Sequence, residues 1–205
     1  MKARSWEIKA RRLLGLALVV LLPSMVILPA GCGLQTDKAN KYLQQATKHQ
    51  EEAEAILARF KAFPNNWEAI FNVAVIGQPQ VDQARQLIQA REQDLDALGK
   101  ALKAWSGDLK LISKLDVEMK VKEYVGLKMK AINAWQDYTA TSLKPLIKAY
   151  SGMVDIIASG GSPAEQDAKA QEITGLVSES VQKLEECRAA EKQADNYFNE
   201  NKLGK

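Results

Sequence analysis

Few side chains in this sequence have the reactivity that covalent chemistry or metal binding requires. The chain of 205 residues contains two cysteines, Cys32 and Cys187, and one histidine, His49. A single histidine excludes a His-rich metal site and leaves one imidazole as the base for any nucleophile. We expect His49 to lie on a helix surface or seam. Cys32 stands out by its neighbours, because it ends the run Leu28-Pro29-Ala30-Gly31-Cys32.

The segment before Cys32 has the composition of a secretory signal. Residues 1–12 carry five basic side chains and one acid, and residues 13–29 are apolar apart from Ser24. A basic start, an apolar stretch and small residues at the cleavage site are typical of such signals. The alternative is an uncleaved transmembrane anchor, which needs roughly 20 apolar residues. We favour cleavage, because two small residues followed by cysteine seldom occur by chance.

The run that ends at Cys32 resembles the lipobox of bacterial lipoproteins. In those proteins the cysteine thiol receives a diacylglyceryl group and the cysteine becomes the mature N-terminus. The resemblance predicts a signal peptide at 1–31, a lipid on Cys32 and a location at the outer face of the cell membrane. Two acyl chains, at about 0.8 kcal/mol per buried CH₂, anchor a protein stably.

Residues 32–35 are the lipidated N-terminus and a short spacer, and residues 36–205 are expected to form a single domain. Fully extended, three residues reach only about 10 Å, so the domain should stand close to the membrane surface.

Removal of the leader reverses the sign of the net charge. The whole chain has 28 basic and 25 acidic residues. The leader takes five bases and one acid, which leaves 23 bases and 24 acids. The mature protein therefore lacks the basic excess of a nucleic-acid-binding domain, and we expect no nucleic-acid partner.

The second cysteine has no partner within the mature chain. If Cys32 carries a lipid, Cys187 cannot form an intramolecular disulfide. It falls on an apolar helix seam, where a buried, unreactive thiol is more common than a nucleophile.

Helical periodicity fills the chain after the leader. Apolar residues repeat every seven positions over about five heptads of 79–112, more than the three to four that indicate coiled-coil packing. Apolar seams also run along 36–62, 117–158 and 163–200, and Pro145 should kink the third helix. Such helices are not stable alone, so the sequence predicts an all-α, elongated, up-down antiparallel bundle.

An apolar segment interrupts this pattern at residues 67–76. It lies between Pro64-Asn65-Asn66 and Gly77-Gln78-Pro79, which predicts a short separate helix at the end of the bundle farthest from the membrane. This helix either caps the bundle or presents an interaction patch, because exposed apolar patches mark binding sites. Its large apolar residues are Trp67, Ile70, Phe71, Val73, Val75 and Ile76, and the candidate patch consists of Trp67, Ile70, Phe71 and Val75.

Charge is distributed unevenly between the last two helices. Residues 100–148 hold ten lysines and five acids, whereas residues 164–200 hold nine acids and four bases. Either the acids of the fourth helix neutralise the third, or the third presents a cationic face to anionic wall polymers. Binding to such polymers would weaken with salt. The candidate basic face consists of Lys120, Lys122, Lys128 and Lys130.

Three short motifs and the order of the elements support a family resemblance. The motifs are Gln89-Ala90-Arg91-Glu92, the set Tyr138, Leu143, Leu146 and Tyr150, and Tyr197-Phe198-Asn199-Glu200. With these, residues 36–202 resemble the YkyA-like family of cell-wall-binding lipoproteins of Gram-positive bacteria. The resemblance implies wall association and supplies no site residue.

The sequence therefore predicts a non-enzymatic lipoprotein that contacts cell-wall polymer or an envelope protein, with no cofactor beyond its covalent lipid. The alternative is a lipoprotein that binds a solute or small ligand between its helices. That alternative requires polar side chains that converge in the core, and Arg91, Lys128 and Glu191 fall at seam positions. An enzyme is the third possibility, but its paired carboxylates, Asp94 and Asp96, are two residues apart and point to different faces of a helix.

Overall fold

The computed structural model describes residues 35–203, so the predicted signal peptide at 1–31 and the predicted lipidation at Cys32 lie outside the described residues. The helices are α1 Thr36–Phe71, α2 Gln78–Ile112, α3 Met119–Tyr138, the π-helical turn Thr139–Leu143, α4 Lys144–Ala158 and α5 Pro163–Glu200. Because α3, the π-helical turn and α4 follow one another without a loop, the described chain folds into four rods. The predicted all-α bundle is confirmed.

Burial of the heptad seams holds the rods together. In α2 the seam residues Leu98, Leu102, Leu109 and Ile112 are at most 2% exposed. The seam passes through Gly107 without a break, as the unshifted heptads predict. At 1.5 Å per residue, the 36 residues of α1 span about 54 Å, so the bundle is elongated. Within residues 35–203, no helix combines the length and the apolarity that crossing a membrane requires.

One end of the bundle, here called the base, contains the start of α1 and the turn between α2 and α3. The backbone N–H of Gln35 donates a hydrogen bond to the carbonyl of Asp116 at 2.8 Å. The start of α3 meets the end of α5 at the same end, where the Tyr124 and Phe198 rings lie 5.3 Å apart. This is the arrangement that an up-down topology predicts.

The opposite end, here called the tip, contains the α1–α2 and α4–α5 loops. The α4–α5 loop contains Gly160, whose φ of 67° favours glycine. A capping box then starts α5: the N–H of Ser162 donates to the Glu165 carboxylate at 2.7 Å, and the N–H of Glu165 donates to the Ser162 hydroxyl at 3.3 Å. Two backbone donors that a helix start would leave free are thereby satisfied.

The prediction of a separate short helix at 67–76 is wrong. Helix α1 continues through Pro64 to Phe71, and residues 72–77 form the loop to α2. An interior proline removes a helical hydrogen bond and costs about 3 kcal/mol. Packing around the proline offsets this penalty.

Aromatic packing explains why α1 continues past its proline. Phe63 and Trp67 flank Pro64, are both buried, and lie 4.8 and 4.6 Å from the Tyr150 ring of α4. Burial of a large apolar side chain contributes about 1.5–3 kcal/mol, so the two rings together offset the cost of the proline.

The third rod is interrupted where the sequence predicts a kink. The π-helical turn Thr139–Leu143 immediately precedes α4, whose second residue is Pro145. A π-turn inserts one extra residue, which gives the proline ring room beside the preceding turn. The Thr141 hydroxyl donates to the carbonyl of Asp137 at 2.8 Å and satisfies an acceptor of the widened turn.

We expect Trp67→Ala to destabilise the protein strongly. Loss of a buried tryptophan at the tip should lower the free energy of unfolding by about 3–5 kcal/mol. Urea denaturation followed by circular dichroism measures this change. The matched control, Val75→Ala in the neighbouring exposed loop, should change it by no more than about 0.5 kcal/mol. Equal losses in the two variants would contradict the placement of Trp67 in the core.

Candidate functional site

The loop between α1 and α2 exposes apolar side chains at the tip. We call residues 72–77 the tip loop. Every residue from 72 to 76 is exposed, including Val73 at 44%, Val75 at 79% and Ile76 at 47%. Since large exposed apolar side chains that cluster in one place mark interaction sites, the tip loop is the strongest candidate for a binding surface.

Both ends of the tip loop are fixed by hydrogen bonds. The N–H of Asn72 donates to the carbonyl of Glu68 at 2.9 Å and closes the last turn of α1. The N–H of Gly77 donates to the side-chain oxygen of Gln80 at 3.0 Å at the start of α2. The loop is thus held between two defined helix ends.

An aromatic cluster packs beneath the tip loop. The Trp67 ring lies 4.8 Å from Phe71, 6.1 Å from Phe63 and 4.6 Å from Tyr150. Burial raises the pKa of Tyr150 to about 12, so this phenol stays neutral at physiological pH. The cluster closes the apolar core and gives the loop a rigid support.

The structure divides the predicted apolar patch into two parts. Trp67 is 7% exposed and belongs to the core, Ile70 and Phe71 are half-buried, and Val75 is exposed. Val73 and Ile76, which belong to the same predicted apolar segment, stand beside Val75 and are also exposed. The helical half of the segment therefore caps the bundle, and its loop half is exposed.

Three of the four lysines of the predicted basic face are accessible to solvent, and the fourth is buried. Lys130 is exposed and Lys120 and Lys122 are half-exposed, but Lys128 is only 6% exposed. Lys128 lies outside the face, because its seam position turns it toward α5. Its ammonium lies 2.8 Å from the carboxylate of Asp195, an ion pair of the kind expected if α5 neutralises the third rod.

Lys128 of α3 belongs to a cluster of charged groups that also includes Glu191 and Asp195 of α5 and Glu54 of α1. Glu191 of α5 is 3% exposed, and its carboxylate accepts a hydrogen bond from the Trp135 side chain. Burial raises the pKa of Glu191 to about 7, although Trp135 and Lys128 act in the opposite direction, and Asp195 and Glu54 add to the rise. Burial also raises the pKa of Glu54. A carboxyl group with a pKa near neutrality therefore lies inside the bundle.

A second charged cluster joins α1 and α2. Arg59 donates to Asp94 at 2.6 Å, and the guanidinium of Arg91 lies 3.0 Å from the same carboxylate and 5.9 Å from the centre of the Phe60 ring. Asp94 is buried whereas Asp96 is exposed, so the two carboxylates face apart, as their spacing predicts.

Each of the three polar seam residues contacts another side chain: Lys128 pairs with Asp195, Glu191 accepts a hydrogen bond from Trp135, and Arg91 pairs with Asp94 of its own helix. Beside them lies an apolar cleft of about 40 Å³ between α1, the third rod and α5. Its lining includes Leu57, Phe60, Pro64, Trp135, Tyr138 and Leu184. Ligand pockets usually enclose about 300–1,000 Å³, so this cleft is small for a solute. Among residues 35–203, no group of three or more His, Cys, Asp or Glu side chains is arranged to hold a metal ion.

The remaining reactive side chains lie where the sequence predicts. Cys187 is 1% exposed, and burial raises the pKa of its thiol to about 12, which keeps the sulfur protonated and unreactive. His49 is a partly exposed helix residue whose ring nitrogen lies 3.1 Å from the carboxylate of Glu52.

Comparison with known proteins identifies no relative of this chain. None of the protein-family models, curated proteins or solved structures compared with the chain matches it. The resemblance to the YkyA-like lipoproteins therefore stays a prediction, and the site is argued from the chain itself.

Titration of Glu191 should make the stability of the protein depend on pH. Its pKa is about 7 in the folded protein against 4.5 for an unburied glutamate, so ionisation favours the unfolded chain. Below pH 4.5 Glu191 is neutral in both states and does not weaken the fold. As the pH rises from 4.5 to about 7, the unfolded chain gains stability by ionising, so the free energy of unfolding falls. At about 1.4 kcal/mol per pKa unit, the loss approaches about 3 kcal/mol.

Glu191→Gln removes this titration. The unsubstituted protein should lose stability between pH 5 and pH 8, whereas the variant should not lose this part. The free energy of unfolding of the variant minus that of the unsubstituted protein should therefore rise by about 2–3 kcal/mol over this range. Urea denaturation at several pH values measures the difference. Glu186→Gln, an exposed glutamate on the same helix, should show no such trend. A difference that does not change with pH for Glu191→Gln would contradict the raised pKa.

Proposed function

We propose that the protein is a non-enzymatic lipoprotein of the bacterial cell envelope that presents the tip loop to another envelope protein. The lipobox-like run at Cys32 supports a lipid anchor at the outer face of the cell membrane. The bundle acts as a spacer, because the helices connect the anchored end to a binding surface at the opposite end.

The observation that carries this proposal is the position of the exposed apolar loop. Val73, Val75 and Ile76 lie at the tip, whereas Gln35, three residues after Cys32, is hydrogen-bonded at the base. The length of α1 separates the two ends by about 54 Å. Apolar side chains on a loop favour a protein partner over a wall polysaccharide, because a protein can bury them in an apolar pocket.

Contact with cell-wall polymer is the second candidate. Nine of the ten lysines between residues 100 and 148 are at least partly exposed, and Lys128 alone is buried. Anionic wall polymers would be attracted to these exposed lysines, and the attraction would fall with salt. Binding of a small ligand is the weaker alternative, because the buried charges pair internally and the apolar cleft is small.

The lipid anchor predicts a specific processing pattern. Mass spectrometry of the membrane fraction should find a mature chain that begins at Cys32 and carries a diacylglyceryl group. Cys32→Ser should abolish the lipid and leave the leader attached, because the thiol is the acceptor. Cys187→Ser, the matched control, should leave processing unchanged. A mature chain without lipid, or one that retains the leader, would contradict the anchor.

Photo-crosslinking in cells distinguishes the two candidate partners. A photoreactive amino acid at position 75 should give a discrete adduct with one envelope protein, whereas the same group at position 130 should not. The double substitution Val73→Asp and Ile76→Asp should abolish the adduct without unfolding, since both side chains are exposed. A heterogeneous polymer adduct at position 130, with none at position 75, would overturn the tip proposal in favour of wall binding.

A further inference from the structure

We propose that the base of the bundle docks into the surface of the lipid bilayer through Leu111 and Met119, so that the rod stands upright on the membrane. The proposal rests on the proposed lipid anchor at Cys32 and adds a second membrane contact. It assigns a partner, the interfacial region of a bilayer, to an exposed apolar surface that packing within the bundle leaves uncovered.

The first observation is the short path from the anchor to the base. Two residues separate Cys32 from Gln35, a span of about 10 Å at full extension. Gln35 is fixed to the α2–α3 turn by the hydrogen bond from its N–H to the carbonyl of Asp116 at 2.8 Å. A lipid on Cys32 therefore holds the base, including this turn, within reach of the bilayer, whereas the tip lies far from it.

The second observation is the distribution of apolar side chains around that turn. Leu115 and Val117 point into the core, each at 7% exposed, and close the base. Leu111 and Met119, on either side of the turn, point outward at 38% and 70% exposed. Among the large exposed apolar side chains of residues 35–203, these two lie at the base, and the tip loop holds the other three.

The charges around the turn favour insertion by apolar contact over electrostatic attraction. Lysines and acids between residues 108 and 123 balance: Lys110, Lys114, Lys120 and Lys122 against Asp108, Asp116, Glu118 and Glu123. Two apolar side chains are too few to hold a free protein on a membrane. The tether changes this, because it makes docking intramolecular and raises the effective concentration of the bilayer surface. Docking should therefore depend little on salt or on anionic lipid.

The mature lipidated protein, reconstituted into phosphatidylcholine vesicles, tests the proposal. A polarity-sensitive fluorophore is attached at Ser113→Cys, an exposed position in the turn, and Cys187 is buried and should not react. We expect a several-fold rise in emission on reconstitution and quenching by lipids that carry a spin label near the headgroup. The matched probe at Val75→Cys, at the tip, should show neither effect.

A second variant assigns the effect to the two side chains. Leu111→Glu combined with Met119→Glu should remove most of the quenching at position 113 while the protein still floats with the vesicles. Quenching that survives both substitutions would overturn the role of Leu111 and Met119. Flotation without any quenching would overturn docking and leave the anchor intact, whereas failure to float would overturn the anchor and docking together.

Discussion

The fold depends on one constraint: each long helix is apolar along a single stripe and must bury that stripe against its neighbours. Isolated helices are marginally stable in water, and most helical stability in proteins comes from packing of such a face. In α2 the stripe runs over five heptads and its central residues are almost fully buried. Because the rods have similar lengths and bury their stripes against one another, they lie side by side with their ends at the same level. The antiparallel alignment brings Gln35 to Asp116 at the base and Trp67 to Tyr150 at the tip.

Two charged clusters interrupt this apolar seam, and each contains an ion pair between two rods. A buried charge without a partner is strongly destabilising, whereas a buried ion pair is roughly neutral against an apolar replacement. Lys128 pairs with Asp195 between α3 and α5, and Asp94 pairs with Arg59 between α2 and α1. Each pair links two rods at a fixed height along the bundle. Sliding by one turn would break it, so we infer that the pairs specify register more than they add stability.

Helix positions and seams were predictable from the sequence because heptads, caps and the glycine-rich loop are local signals. The continuation of α1 through Pro64 was not, because it depends on Tyr150, more than 80 residues away in the chain. Lys128 shows a different kind of failure. Its heptad register, between Val121 and Trp135, places it on the seam, yet its charge placed it in the predicted basic face. The seam position, and not the charge, determines where the side chain lies. Lys128 is buried and pairs with the carboxylate of Asp195 on the facing helix.

The two ends of the rod differ in what their loops must do. At the base, the connecting turn buries Leu115 and Val117, so its apolar residues contribute to folding. At the tip, the aromatic cluster around Trp67 closes the core, while Val73, Val75 and Ile76 are 44%, 79% and 47% exposed. Loops normally carry polar residues at such exposed positions, because exposed apolar clusters promote association. The exposed apolar side chains of the tip loop are therefore the feature that supports the proposed protein partner.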